Sequence, residues 1–174
     1  MWVSPDMGLK KTSEIVAVSF SVTETAPNTY TQQQISLQLD VLNQEVFVVV
    51  AVDLDPSTPD AIAGTDTAVS AQLTSTSQTV PVTLANSNCL ATANLQIKSA
   101  GFVDGGVGFT RTSIDSPPAA LDYIGIIATS NAFIAVNGAA NLAQKGLVGR
   151  FWGYRARADS ATFAALTQSE LLSQ

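Results

Sequence analysis

The chain has 174 residues, of which 46% are hydrophobic and only 13% are charged; its net charge is −6 and it has no histidine. This length fits one domain with a core of its own. The lack of histidine excludes Ser-His-Asp and Cys-His catalysis and histidine-ligated metals. The low charge indicates that much of the surface lies against other copies of the chain.

Nearly the whole chain before Asp159 shows the alternation typical of strands. Residues 1–12 are expected to form an N-terminal arm and residues 13–157 a sandwich. Hydrophobic residues at every second position predict strands from Val16 to Val22 and from Ile35 to Val41. Turn residues separate such segments, and no helical pattern lies between them.

The next strand, which begins at Val46, is hydrophobic on both sides. Val46 and Val48 share one face, whereas Phe47 and Val49 share the other. One face would pack on the second sheet, so the other needs a loop, the C-terminal helix or a neighbouring subunit as cover. We expect Phe47 and Val49 to lie at a subunit interface.

Three aspartates follow this strand. Strict alternation places Asp53 and Asp55 on the side of Phe47 and Val49, so that with Asp60 they could bind calcium through carboxylate oxygens. Alternatively, they are turn residues whose carboxylates accept backbone N–H groups. The irregular ligand spacing favours the turn interpretation.

The rest of the chain continues the strand pattern and ends in a helix. The segment 159–172 is rich in Ala and Leu, with Asp159 as its N-cap. About eight strands with no helix between them predict an antiparallel sandwich or barrel. The further predicted strands are Val69–Leu73, Val80–Leu84, Ala91–Ile97, Tyr123–Ala128, Ala132–Val136 and Leu147–Arg157.

The stretch "GRFWGYRARAD" alternates cations with aromatic rings. Arg150 and Trp152 share one strand face, and Arg155 and Arg157 share the other. Some nucleic-acid binders show such a pattern, but a net charge of −6 argues against phosphate binding. Cation–π packing and pairing with aspartates is the favoured alternative. We expect these four residues at a subunit interface, where Arg155 or Arg157 would meet Asp53 and Asp55 of another copy.

No residue set indicates an enzyme. Cys89 has no histidine to activate it and is expected to be a buried structural residue. Carboxylate pairs of glycosidases normally stand beside aromatic residues, which are only 7% here. We expect no catalytic residue and no cofactor apart from the possible calcium. No apolar run reaches the roughly 18 residues of a membrane span.

The strand count, the uncharged polar composition and the closing helix resemble the single jelly-roll coat proteins of icosahedral viruses. The stretches "GFTRTSIDSPPAALDYIGIIAT" and "GRFWGYRARADSATFAALTQSELL" are similar to the C-terminal half of a virion protein. The resemblance implies an all-β, antiparallel jelly-roll-like sandwich, and a capsid subunit that assembles with itself and with other virion proteins. Many such coats carry a basic N-terminal arm. Only Lys10 and Lys11 stand there in this chain, so no sequence-specific nucleic-acid binding is expected.

A second interpretation stays open. The same sandwich could be an extracellular lectin-like or adhesin-like module that binds carbohydrate or protein. Regular particles in electron microscopy would favour the capsid, and a monomer that binds glycans would favour the module.

Overall fold

The computed structural model describes residues 8–101, 109–114 and 121–172, with the backbone alone for residues 109–114. A 3₁₀ turn, Val41–Asn43, precedes the fourth strand. The described elements are β1 (Leu9–Lys11), β2 (Val16–Thr23), β3 (Thr31–Ser36), β4 (Glu45–Pro56), β5 (Thr67–Thr74), β6 (Cys89–Lys98), β7 (Phe109–Ile114), β8 (Gly125–Ile127), β9 (Asn131–Ala139), β10 (Gly146–Ala158) and α1 (Ser160–Leu172).

These strands form two antiparallel sheets. In sheet A, β1 and β2 pair with one side of β10, the other side of β10 pairs with β4, and β4 pairs with β8. Sheet B has the order β3-β9-β5-β6-β7. Without β1 and β7, the strands form the two four-stranded sheets of a jelly roll, β2-β10-β4-β8 and β3-β9-β5-β6. The predicted all-β, antiparallel jelly-roll-like sandwich with a C-terminal helix is confirmed.

The main core lies between the two sheets, and three phenylalanine rings occupy it on the side of sheet A. The ring centroids of Phe20 and Phe151 are 6.0 Å apart, and those of Phe47 and Phe151 are 5.8 Å apart in an edge-on arrangement. A side chain at Gly153 would overlap the ring of Phe47 and the carbonyl oxygen of Val48. Glycine is therefore required there so that β10 can approach β4 under the ring.

Helix α1 begins where the N-cap predicted. The Asp159 carboxylate accepts the N–H of Thr162 at 2.7 Å, and this hydrogen bond holds the pKa of Asp159 below its ordinary value. The chain then crosses sheet A and ends against the connections that precede β6 and β9.

Some element bounds differ from the sequence prediction. Strand β3 ends at Ser36, because Gln38 has a left-handed backbone with φ of 52°. The predicted strand at Val80–Leu84 is wrong: this segment is not a strand, and both named side chains are at least half exposed. Pro81 stands within it and cannot donate to a strand ladder.

The predicted N-terminal arm of residues 1–12 is also corrected in part. Leu9–Lys11 form β1 and pair with Ala156–Ala158 at the end of β10. These three residues therefore belong to sheet A. Residues 1–7 lie outside the described part of the chain.

Candidate assembly surface

The outer face of sheet A, which is turned away from the main core, is half covered by helix α1. Val46 and Val48 of β4 are 0% and 1% exposed, and they pack in one cluster with Phe163 and Leu166 of the helix. Ala156 of β10 is buried in the same cluster. The chain's own helix is thus the cover that the doubly hydrophobic strand needs.

Phe47 and Val49 lie on the other side of this strand, in the main core. They are 1% and 0% exposed and pack among side chains of both sheets. The predicted interface role of these two residues is therefore wrong. The sequence pattern identified a strand with two buried faces but not which layer covers each face.

A bulge in β4 reverses the expected positions of the aspartates. Ala51 pairs with Trp152 and Val49 pairs with Gly153, so Val50 has no partner on β10. An extra residue of this kind shifts the alternation by one position. Hence Leu54 points into the core, whereas Asp53 and Asp55 are exposed on the outer face and not on the side of Phe47.

The part of the outer face that the helix leaves uncovered is called the open half. It contains Arg150 and Trp152, the two outward-facing members of the predicted interface set. Val148 on the same strand is 51% exposed, and the Nε of Arg150 donates to the Ser19 hydroxyl at 3.1 Å. An interface role for Arg150 and Trp152 stays a prediction. The open half has three cross-strand rows: Ala17–Trp152–Ala51, Ser19–Arg150–Asp53 and Ser21–Val148–Asp55.

Arg155, by contrast, has partners within its own chain. Its guanidinium lies 3.6 Å from the Glu45 carboxylate and donates to the carbonyl oxygen of Leu37 at 2.9 Å. Arg157 is exposed and pairs in register with Glu45. The expected pairing of Arg155 with aspartates of another copy is therefore corrected to an ion pair between adjacent strands.

Asp60 likewise belongs to a contact inside the fold. One carboxylate oxygen lies 2.7 Å from the Lys145 ammonium, and the other accepts the N–H groups of Leu142 at 2.8 Å and Ala143 at 3.1 Å. The bond from Lys145, followed by those from the two amides, lowers the pKa of Asp60. The structure thus supports the turn interpretation for this residue.

The predicted calcium ligands do not form a cluster. Asp53 and Asp55 are exposed on the open half, whereas Asp60 accepts its bonds from the connection that leads into β10. Within residues 8–101 and 121–172, no three His, Cys, Asp or Glu side chains lie close enough to hold a metal ion. The expected calcium set is therefore not brought together.

A buried polar network closes the end of the sandwich at which β9 ends and β10 begins. Sequence reasoning missed this network. Glu24 is 2% exposed and accepts the N–H groups of Gly138 and Lys145. Asn141 is 5% exposed, accepts the Asp60 N–H at 2.9 Å and exchanges two bonds with Asn28. The alternation of β2 carried the signal for Glu24, because it continues the inward-facing positions of that strand.

Glu170 near the end of α1 is a second buried carboxylate that the sequence did not single out. It is 6% exposed, and its oxygens accept the Ala128 N–H at 2.7 Å and the Thr129 hydroxyl at 2.9 Å. Burial raises the pKa of Glu170, and these bonds only partly oppose that effect. Helical spacing carried a signal, because Phe163, Leu166 and Glu170 share one face of the helix.

Cys89 is a buried structural residue, as expected. Burial raises the pKa of its thiol to about 11, so that almost no thiolate forms at neutral pH. A buried thiol with a raised pKa is a poor nucleophile, as is typical of a structural cysteine.

A polar cleft of about 460 Å³ adjoins the open half where β10 begins. Asp55, Ser21, Thr23, Ser57 and Thr58 contribute to its walls. Hydroxyls and one carboxylate can hydrogen-bond to a polyhydroxylated ligand. No tryptophan, tyrosine or phenylalanine is among its lining residues.

The chain matches no protein-family model and no curated protein. In the part of the chain that the structure describes, no helix is long and apolar enough to span a membrane. The fold and its surface are therefore the basis for a functional proposal.

Proposed function

We propose that this chain is a structural subunit that assembles with copies of itself into a shell, as viral coat proteins do. The observation that carries the proposal is the exposure of twelve large hydrophobic side chains within the described residues. They include Val148 at 51%, Leu142 at 78% and Leu42 at 96%. Because charged residues make up only 13% of the chain, charge does little to keep these surfaces apart.

The jelly-roll fold supports a coat function but does not decide it. The fold occurs in viral capsids, and it also occurs in lectins and cupins. The proposed virion location, with other virion proteins as partners, therefore rests on the combination of this fold with a surface that has few charges and many exposed hydrophobic side chains.

Two further observations favour a structural role over catalysis or nucleic-acid binding. The lysines that the structure describes beyond β1 are engaged: Lys145 with Asp60 at 2.7 Å, and Lys98 with Asp66 at 3.2 Å. Cationic groups held by carboxylates are poorly available to phosphates. The same two ion pairs engage the carboxylates of Asp60 and Asp66.

The second candidate is a lectin-like or adhesin-like module outside the cell. The polar cleft beside Asp55 favours it, because its hydroxyl-bearing walls could accept a sugar. The absence of aromatic rings among its lining residues counts against it, since sugar rings usually stack on such side chains.

Negative-stain electron microscopy of the purified full chain tests the proposal. Closed particles of uniform diameter are the expected result. A single monomeric species at every concentration would contradict it. Glycan-array binding in that case, lost in Asp55→Ala and retained in Asp66→Ala, would favour the module instead.

A further inference from the structure

Strand β2 forms a long free edge of sheet A. The eight residues of Val16–Thr23 pair along one side with β10, and no described residue pairs with the other side. At the opposite edge of the sheet, β8 has only three residues, Gly125–Ile127. Short edge strands are poor templates for a further strand, whereas a long one can accept it along its full length.

The hydrogen bonds between β2 and β10 show which N–H and C=O groups of β2 point to the free edge. The Glu24 N–H donates to the carbonyl oxygen of Lys145 at 2.9 Å, so Glu24 continues the ladder toward β10. In an antiparallel pair, hydrogen-bonded positions alternate along each strand. The groups that point away from β10 therefore belong to the alternate residues Ala17, Ser19, Ser21 and Thr23.

The side chains of β2 offer no obstacle to pairing. Its sequence "VAVSFSVT" has no charged residue and no proline, the two common devices that prevent edge pairing. Ala17, Ser19 and Ser21, which point outward, are small and exposed. On the inward side, Val16 is still 37% exposed, and a second strand beside it would cover this hydrophobic surface.

We propose that β2 pairs antiparallel with β2 of a second copy about a two-fold axis, so that two A sheets join into one continuous sheet. An isologous contact places the same strand on both sides, which requires a sequence that does not repel itself. The uncharged β2 meets this requirement. The proposal deepens the proposed function and rests on it, because it names one contact between the copies of the assembly.

Two substitutions at Ser21 test this contact. Ser21→Pro removes an N–H that points to the free edge and leaves the bonds to β10 in place. Ser21→Lys adds a positive charge to β2 of each copy, and a charge on an edge strand opposes pairing. Gln34→Lys is the matched control, since Gln34 is an exposed residue of β3, an edge strand of sheet B.

Sedimentation equilibrium of the full chain, with thermal unfolding as a check, measures the effect. We expect both Ser21 variants to raise the dimer dissociation constant at least about tenfold, and Gln34→Lys to leave it unchanged. The unfolding temperatures should be unchanged when measured at concentrations at which all the variants are monomeric. Hydrogen exchange gives an independent readout: the Ser19 and Ser21 amides should gain protection as concentration rises, whereas the exposed Thr83 amide should not.

Five outcomes overturn or support the β2 contact. A monomeric wild type, equal association of the Ser21 variants and the wild type, or unprotected Ser19 and Ser21 amides in the associated state would each overturn it. Particles formed equally well by Ser21→Pro would contradict the β2 contact but leave the shell function standing. A Ser21-dependent dimer that never forms particles would support the contact and contradict the shell function.

Discussion

Buried carboxylates, at the scale of single residues, are where this chain departs furthest from a simple hydrophobic core. Glu24 and Glu170 are 2% and 6% exposed. Glu24 accepts the N–H of Gly138 near the end of β9 and that of Lys145 just before β10, and Glu170 accepts the N–H of Ala128 between β8 and β9. Removing such a group would leave buried donors unpaired, at a cost of roughly 1–3 kcal/mol each. These two side chains therefore fix the loops at opposite ends of the sandwich.

The titration of Glu170 gives a pH-dependent stability whose sign is defined. Its folded pKa is raised by burial above the ordinary value of 4.5, so the neutral form is favoured in the folded state. The contribution of Glu170 to the free energy of unfolding is complete at pH values below its ordinary pKa. It is lost as the pH rises through the raised pKa of the folded state. We expect the free energy of unfolding to fall in this window in the wild type, and this fall to be absent in Glu170→Gln.

Chemical denaturation at a series of pH values checks this expectation. Asp60, Asp66 and Asp159 have lowered pKa values and act in the opposite sense, losing stability only as the pH falls below their ordinary value of 3.8. The wild type and Glu170→Gln both contain these three aspartates, so their contributions cancel when the two pH profiles are subtracted. An identical pH slope for the wild type and Glu170→Gln above pH 4.5 would contradict the prediction.

At the scale of elements, alternation predicted most strands, because one face of each meets the core and the other does not. It failed for β4, whose valines are buried on both sides and hide the extra residue at Val50. The face on which Asp53 and Asp55 lie depended on that alternation and was predicted wrongly, whereas the candidate metal site failed because Asp60 is held by Lys145 away from these two residues. Strand β1 has only three residues, too few for a period to be recognised.

Helix α1 is an essential cover for sheet A in this arrangement. Phe163 packs on the cluster of Val46 and Val48, whereas Leu171 is 53% exposed on the same helix. We expect Phe163→Ala to lower the free energy of unfolding by about 1–3 kcal/mol, since the ring is only partly buried. Leu171→Ala should change it by less than about 0.5 kcal/mol. Equal effects in urea denaturation would show that the helix does not cover this face.

At the scale of the whole molecule, the surface combines few charges with many exposed hydrophobic side chains. Residues 1–66 carry a net charge of −7 and residues 67–174 a net charge of +1. The sandwich brings both parts together on the open half, where Asp53 of the acidic part stands in register with Arg150 of the other. Phe47 is buried in the core and Arg155 is paired with Glu45, whereas the charged groups of the open half are available to another copy.

Assembly should therefore weaken as salt rises, if the open half takes part in it. Exposed charges are screened beyond roughly 8–10 Å at physiological ionic strength, and each exposed pair contributes about 0–1 kcal/mol. We expect Asp53→Asn with Asp55→Asn to reduce the salt dependence of particle formation in light scattering and to shift association by at most about tenfold. Asp122→Asn, which removes one exposed charge outside the open half, should leave the salt dependence unchanged.

A calcium chelator should have no effect on assembly, because Asp60 is held by Lys145 and does not join Asp53 and Asp55. If chelation dissolved the particles, or if the double variant kept the full salt dependence, the two aspartates would not act as paired surface charges.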